Sequence, residues 1–318
     1  MKKVGMVLLG ILVFVVAFTV GAISKIMPKS WQKDYEVEWS EEVGTAQTDL
    51  VYGDKPAEKF DLYLPADKGK KNYGLVGYLH AGGFTTGDKT DDKAILEWLC
   101  SMGYVTAGIN YTLFSADNLD ANIYTQSEEI KQAMPVVVAE AEKLGYHIDR
   151  MAIAGGSAGG TLAMLYAYRD AKDAPVPVKM MFEAVGPSSF YPEDWKSYGL
   201  DQDTEDVKVA AAGLFGTMAG QEIKPEMFGT AEYEELIKPI SGYMWVDSDS
   251  VPSVVAYGKH DRVCPYDSST HLKKALEENN VPHAYFELPH SGHALQNDDK
   301  IYQQYMDMVV EYLKKYMD

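Results

Sequence analysis

The sequence predicts an α/β domain, a mostly parallel central sheet with helices on both faces and a cap-like insertion. Two observations lead there. From Val43 onward, short apolar runs of strand character alternate with helix-period segments. That alternation favours parallel strands, whose crossovers are helices and whose two faces are therefore covered. The rhythm then breaks once, from Pro187 to about Ser250, in a stretch rich in Gly, Pro, acids and aromatics. It reads as an insertion above the carboxyl edge of the sheet, where a lid would sit, although ordinary long loops account for part of it equally well.

Val43–Tyr52 and Lys59–Leu64 alternate apolar and polar residues, as strands with one wet face do. Tyr73–Leu79 is a more continuous apolar strand. Lys89–Met102 places Ala94, Ile95, Trp98 and Leu99 at helical spacing, and Tyr104–Asn110 is again strand-like. Ser127–Leu144 reads as a long helix that contains Pro135, Met151–Ala154 as a short buried strand, Thr161–Arg169 as a helix and Val178–Val185 as a strand. Within the insertion, Val207–Leu214 and Tyr233–Ile237 have helical character. The alternation resumes with strand Val251–Tyr257, helix Ser268–Asn279, strand His283–Leu288 and helix Lys300–Tyr316.

The 318 residues carry a net charge of −18, which argues against a nucleic-acid partner, because phosphates would be repelled. Cys100 and Cys264 permit one disulfide, but a core of this size needs no staple. Without histidines at ligand-like spacing they predict no metal site, and nothing calls for a cofactor. At the N-terminus, Lys2 and Lys3 precede an uncharged run from Val4 to Ser24, long enough to span a hydrocarbon core. Val20-Gly21-Ala22 is a poor cleavage site, so residues 1–27 read as a signal-anchor in preference to a cleaved signal peptide. The folded domain is then expected outside the cytoplasm, membrane-anchored, or secreted if the segment is cleaved. Residues 28–42 read as a linker whose Trp31 and Trp39 sit at the membrane interface or dock on the domain, which occupies 43–318.

The chemistry starts at Gly155-Gly156-Ser157-Ala158-Gly159-Gly160, a G-x-S-x-G sequence between the apolar run Met-Ala-Ile-Ala and a helical segment. A serine nucleophile on a sharp strand-to-helix turn projects its hydroxyl above the sheet, and side chains two residues to either side would collide there. The helix that follows aims amide N–H groups and partial positive charge at the reacting oxygen. A phosphate-cradling loop would carry a lysine after its glycines, which is missing here. Upstream, His80-Ala81-Gly82-Gly83-Phe84 follows the strand Tyr73–Leu79. A tetrahedral intermediate needs fixed N–H donors at its oxyanion, and Gly82, Gly83 and Ala158 are the expected donors.

These two motifs resemble those of the hormone-sensitive-lipase-like and carboxylesterase branch of the α/β-hydrolases, which carries H-G-G-G before its nucleophile turn. The chain is also similar to bacterial acetyl-esterase and arylformamidase-like enzymes, over roughly residues 43–318. The resemblance implies the α/β-hydrolase fold and a serine hydrolase. Ala81 departs from the family by replacing the first glycine, while Gly82 and Gly83 match the two that donate. His80 matches a histidine that, in the family, orients the loop.

A neutral imidazole suits the base near pH 7. Of the seven histidines, His293 lies between the last strand and last helix with a glycine beside it, and His290 is its rival in the same loop. His147, His271 and His283 fall in or beside regular elements and read as structural. For the acid, Asp261 follows the strand Val251–Tyr257; Asp267 competes, but it opens a helix and is explained as an N-terminal helix charge. Ser157, Asp261, His293 is the chain order of the α/β-hydrolase triad and not that of chymotrypsin or subtilisin. The expected reaction is hydrolysis of a carboxylic ester through an acyl-enzyme, with a small-molecule or carbohydrate ester, short-acyl, as substrate. A peptidase or amidase on the same triad and a silent binding protein are the alternatives. Tyr191, Trp195, Phe215 and Tyr243 are candidates for an aromatic acceptor pocket. Oligomeric state is not legible.

Overall fold

The computed structural model describes residues 29–318. The Val4–Ser24 run lies outside them, and no helix among the described residues is long and apolar enough to cross a membrane. The chain divides at Tyr35 into two units. In the first, the described residues form a 3₁₀ turn, Ser30–Tyr35, with Trp31 edge-on to Tyr35.

In the second unit, Glu36–Asp318, the apolar runs form eight strands of one sheet. They are β1 (Gly44–Val51), β2 (Lys59–Pro65), β3 (Tyr73–Leu79), β4 (Val105–Ile109), β5 (Ile148–Gly156), β6 (Val178–Ala184), β7 (Ser253–Gly258) and β8 (His283–Leu288). The spatial order is β1-β2-β4-β3-β5-β6-β7-β8. β1 and β2 run antiparallel at one edge, and every pair from β4 to β8 is parallel. The central strands are buried throughout, as the unbroken apolar runs of β3 and β4 require. Trp39 packs edge-on against Tyr63 of β2.

Helices connect or follow the parallel strands: α1 (Lys93–Ser101), α2 (Ile123–Lys143), α3 (Ala158–Leu165) and, past the insertion, two more given below. α1 is preceded by a 3₁₀ turn, Lys89–Asp92, capped by Asp88, so the helix predicted from Lys89 divides in two. α2 starts at Ile123, earlier than Ser127, because Asn122 and Thr125 cap each other's backbone amides. α3 starts at Ala158, directly after the serine, and passes into a π-helical turn, Tyr166–Asp170. The insertion contains α4 (Glu205–Ala219) and α5 (Ala231–Ile237), joined by short 3₁₀ turns. α6 (Tyr266–Glu278) and α7 (Asp299–Met317) complete the chain.

Side chains alternate across a strand, and β3 displays both faces. A Cβ at Gly74 would meet Met317 of α7, whereas one at Gly77 would meet Met134 of α2. Gly108, paired with Tyr78, faces Leu96 of α1, so α1 and α7 cover one face and α2 the other. Helices therefore lie on both sides, and the loops at the carboxyl edge carry the candidate residues.

Candidate active site

Strand β5 ends at Gly156, and the chain turns into α3 through Ser157 at φ 52° and ψ −119°. Positive φ on a serine is strained backbone, held here because the Ser157 amide donates to the Ala184 carbonyl (2.8 Å) and the Thr161 amide to the Ser157 carbonyl (3.1 Å). The turn is also as tight as the sequence implied: a Cβ at Gly159 would stand 1.9 Å from the Leu79 carbonyl oxygen. That close approach sets the first turn of α3 against the end of β3, where the His80–Phe84 loop begins.

His293 comes from the loop after β8 and Asp261 from the loop after β7. His293 Nε2 lies 2.9 Å from Ser157 Oγ, and its Nδ1 lies 2.7 Å from Asp261 Oδ2. The other Asp261 oxygen accepts the amides of Val263 (2.8 Å) and Cys264 (2.9 Å). A carboxylate saturated with donors accepts from the ring, so Nδ1 carries the hydrogen and Nε2 is left to accept the serine O–H. Ser157 and Asp261 are buried, while the imidazole is 28% exposed on its side chain.

The two loops are built to hold this register. The His260 amide donates to the Ser291 carbonyl (2.9 Å) and the Lys259 amide to Leu288 (3.0 Å), tying the acid loop to the base loop. Asp298 accepts from Ser291 Oγ (2.6 Å) and the His290 amide (2.9 Å) and pairs with His290 Nδ1 (2.8 Å). Burial pushes this carboxyl up, but the Ser291 and His290 hydrogen bonds outweigh it and hold Asp298 below the usual range. His290 is thus exposed and engaged with Asp298, not with Ser157. Asp267 sits in the first turn of α6 and pairs with Lys196 (2.8 Å). His147 pairs with Glu142, His271 with Asp194, and His283 with the Val281 carbonyl.

The His80–Phe84 loop is braced from several sides. Gly82 has φ 125°, and its carbonyl accepts the Thr85 and Thr86 amides (3.1 and 3.0 Å). A Cβ at Gly82 would meet Thr86 backbone at 1.9 Å, so only glycine fits. Tyr111 stacks on His80 (4.2 Å between centroids) and donates to the His80 carbonyl (2.8 Å). The ring of His80 lies against Ala81, remote in function from the serine, and burial pulls its proton affinity down. Gln126 and the Phe114 amide both donate to the Phe84 carbonyl (2.9 and 3.0 Å). Ala158, as the first residue of α3, has an amide without an intrahelical acceptor.

Two residues of the site were not singled out from sequence. Cys264 Sγ lies 3.8 Å from Ser157 Oγ, and burial pushes its thiol far up. It and Cys100 are both free. Glu183 of β6 is enclosed beneath the turn. Its polar character inside the apolar run Met-Met-Phe-Glu-Ala was a visible signal. The aromatic candidates separate: Trp195 and Phe215 pack with Phe190 into a buried cluster, while Tyr191 and Tyr243 share a hydroxyl contact (2.7 Å). Beside the His80–Phe84 loop, the wall is mostly apolar. A cavity of about 150 Å³ is lined by Gly83, Phe84, Phe114, Ile123, Leu214 and Met218.

The BD-FAE family matches residues 60–276, which include Gly82, Gly83, Ser157, Ala158 and Asp261 but neither His290 nor His293. The chain belongs to the BD-FAE family. The match agrees with the resemblance carried by the two glycine motifs. This BD-FAE protein is 24% identical over 248 residues to esterase LipC of Mycobacterium tuberculosis, covering 77% of this chain and 58% of that protein. It is 29% identical over 157 residues to arylacetamide deacetylase-like 2 of Homo sapiens, covering 48% and 37%. The chain thus spans 37% to 58% of the length of these curated relatives. An inhibited esterase B from Lactobacillus rhamnosis superposes with a TM-score of 0.65 at 19% identity, covering 93% of each chain. A truncated carbohydrate esterase from gut microbiota does so with 0.66 at 18% identity, covering 86% of this BD-FAE chain and 98% of the other. The fold is the α/β-hydrolase fold.

Proposed function

We propose that this chain hydrolyses carboxylic esters through an acyl-enzyme on Ser157. The observation that carries the reading is the relay from Ser157 Oγ to His293 Nε2 and from His293 Nδ1 to a carboxylate already saturated by its own turn. In this reading Ser157 attacks the acyl carbon while His293 takes its proton, and Asp261 stabilises the imidazolium. Negative charge on the carbonyl oxygen is met by the amides of Gly82, Gly83 and Ala158. His293 then protonates the leaving alcohol, and the same base activates water to release the acid. The names of the esterase relatives and neighbours support the same reaction class.

The acyl group is proposed to be short. The apolar cavity beside Gly83, about 150 Å³, suits a short chain. Leu214→Ala lengthens it, and should shift kcat/KM for hexanoate over acetate upward by about tenfold. A series of p-nitrophenyl esters checks this; an unaltered chain-length preference would remove the cavity from the reading. A carbohydrate alcohol is supported by the neighbour named as a carbohydrate esterase, and acetylated sugars belong in the same screen.

The Val4–Ser24 run supports a membrane-anchored protein whose catalytic domain lies outside the cytoplasm. The full chain should sediment with membranes and resist a high-salt wash. Recovery in the soluble fraction would count against the anchor.

A further inference from the structure

Glu183 is a fully buried carboxyl that the proposed chemistry does not use. Its backbone is paired with Gly155 of β5 and Val255 of β7, directly beside the strand that delivers Ser157. Oε2 accepts the Gly186 amide at 2.8 Å. The same oxygen lies against the first turn of α3: a Cβ at Gly160 would stand 2.7 Å from it, and one at Gly186 2.9 Å. Two glycines therefore let a carboxyl group fit under the helix that begins at the nucleophile. Oε1 has no hydrogen-bond partner among the described residues.

Everything that faces this carboxyl is neutral near pH 7. Tyr257 of β7 presents a hydroxyl that falls short of hydrogen-bond geometry yet still acts on the carboxyl's proton affinity. Tyr78 of β3, Tyr168 after α3, Tyr305 of α7 and Cys264 of the acid loop surround it, each with its own proton held on by burial. Tyr305 also donates to the Glu183 carbonyl (3.1 Å). No cation among the described residues offsets a charge there.

We propose that Glu183 is a positioning residue that works as a neutral carboxylic acid, keeping the Gly186 turn and the first turn of α3 in place around Ser157, and that its ionisation disarms the nucleophile. Two effects act in that direction. A carboxylate enclosed without a cation draws in water or displaces the packed glycines. Its negative charge also offsets part of the positive potential of the α3 amides, Ala158 included, on which an oxyanion depends. Burial pushes the carboxyl up to about 8, against smaller pulls downward from Tyr257 and the Gly186 amide. The folded-state value lies above the unfolded one, so the contribution is fully present at acid pH and is lost as pH rises through about 8.

The inference uses the ester-hydrolysis reading for its readout. Wild-type kcat/KM for a short p-nitrophenyl ester, with the Ser157→Ala background subtracted, should fall about tenfold between its plateau and pH 9, the fraction left neutral one unit above a midpoint near 8. Glu183→Gln keeps the acceptor for Gly186 and has no proton to lose, so its plateau should extend through pH 9. Asp92, another carboxyl raised by burial, to about 7, is unaffected by that change. The same alkaline limb in Glu183→Gln would overturn the proposal. Tyr257→Phe is the second variant: it removes a group that favours ionisation, so the limb should move to higher pH, and a limb that stays put also overturns it. Fluorophosphonate labelling of Ser157 keeps the two ideas apart. Labelling without turnover sinks the ester reading alone, and the labelling rate then carries the same pH test. Neither labelling nor turnover sinks both.

Discussion

Replacing Ser157 with alanine should lower kcat for a short ester by about 10⁴–10⁶-fold and abolish fluorophosphonate labelling, with the fold intact. The size follows from what Ser157 does in the site. Its hydroxyl is the group that His293 Nε2 reaches (2.9 Å), and among the described residues no second hydroxyl is hydrogen-bonded to that nitrogen. The change removes one buried oxygen from a turn fixed by backbone contacts to Ala184 and Thr161, so stability should move little. Residual turnover would come from the donor loop and binding alone. Activity within tenfold of wild type, in a protein of unaltered circular dichroism, would sink the assignment of the nucleophile.

Asp261→Asn should cost roughly 10³–10⁴-fold in kcat while KM changes little. The amide oxygen of asparagine can still accept from Val263 and Cys264, so the turn survives. Its NH₂ then faces His293 Nδ1, across what is a 2.7 Å contact in wild type. Two donors cannot share that contact, so the ring gives up its Nδ1 hydrogen and takes the other tautomer. Nε2 then carries a proton and can no longer accept one from Ser157. Steady-state kinetics, with thermal unfolding to confirm the fold, checks this; a loss below tenfold would mean the acid lies elsewhere.

Much of this arrangement was legible in the chain because a few positions are over-determined. β3 and β8 fall on Tyr73–Leu79 and His283–Leu288, as their apolar runs indicated. The serine turn was legible because only glycines fit beside it, as the approach of Gly159 to Leu79 makes plain. Helix starts were less so. The first turn of α2 is Ile-Tyr-Thr-Gln, with little amphipathic signal, and its boundary rests on the Asn122–Thr125 cap. α4 runs through Gly213 and Gly216, residues that weaken a helical pattern, so the sequence suggested a shorter piece. His293 was preferred to His290 for its glycine neighbour; that Asp298 claims His290 is a contact that spacing does not encode. For Glu183 the sequence offered a polar residue in an apolar run and Gly186 three residues on, but not its approach to Gly160. Cys264 offered no such signal, because Ser157 comes from a distant turn.

Cys264 has a consequence of a kinetic kind. Its sulfur lies 3.8 Å from the Ser157 oxygen and is nearly enclosed, with burial holding the thiol protonated. Alkylating reagents capture thiolates, so the closed site hides this sulfur twice, by access and by protonation. The rate at which such a reagent consumes it therefore measures how often the acid loop opens to solvent. The thiol would thus act as a clock for loop opening, in van der Waals contact with the atom that is proposed to attack the ester.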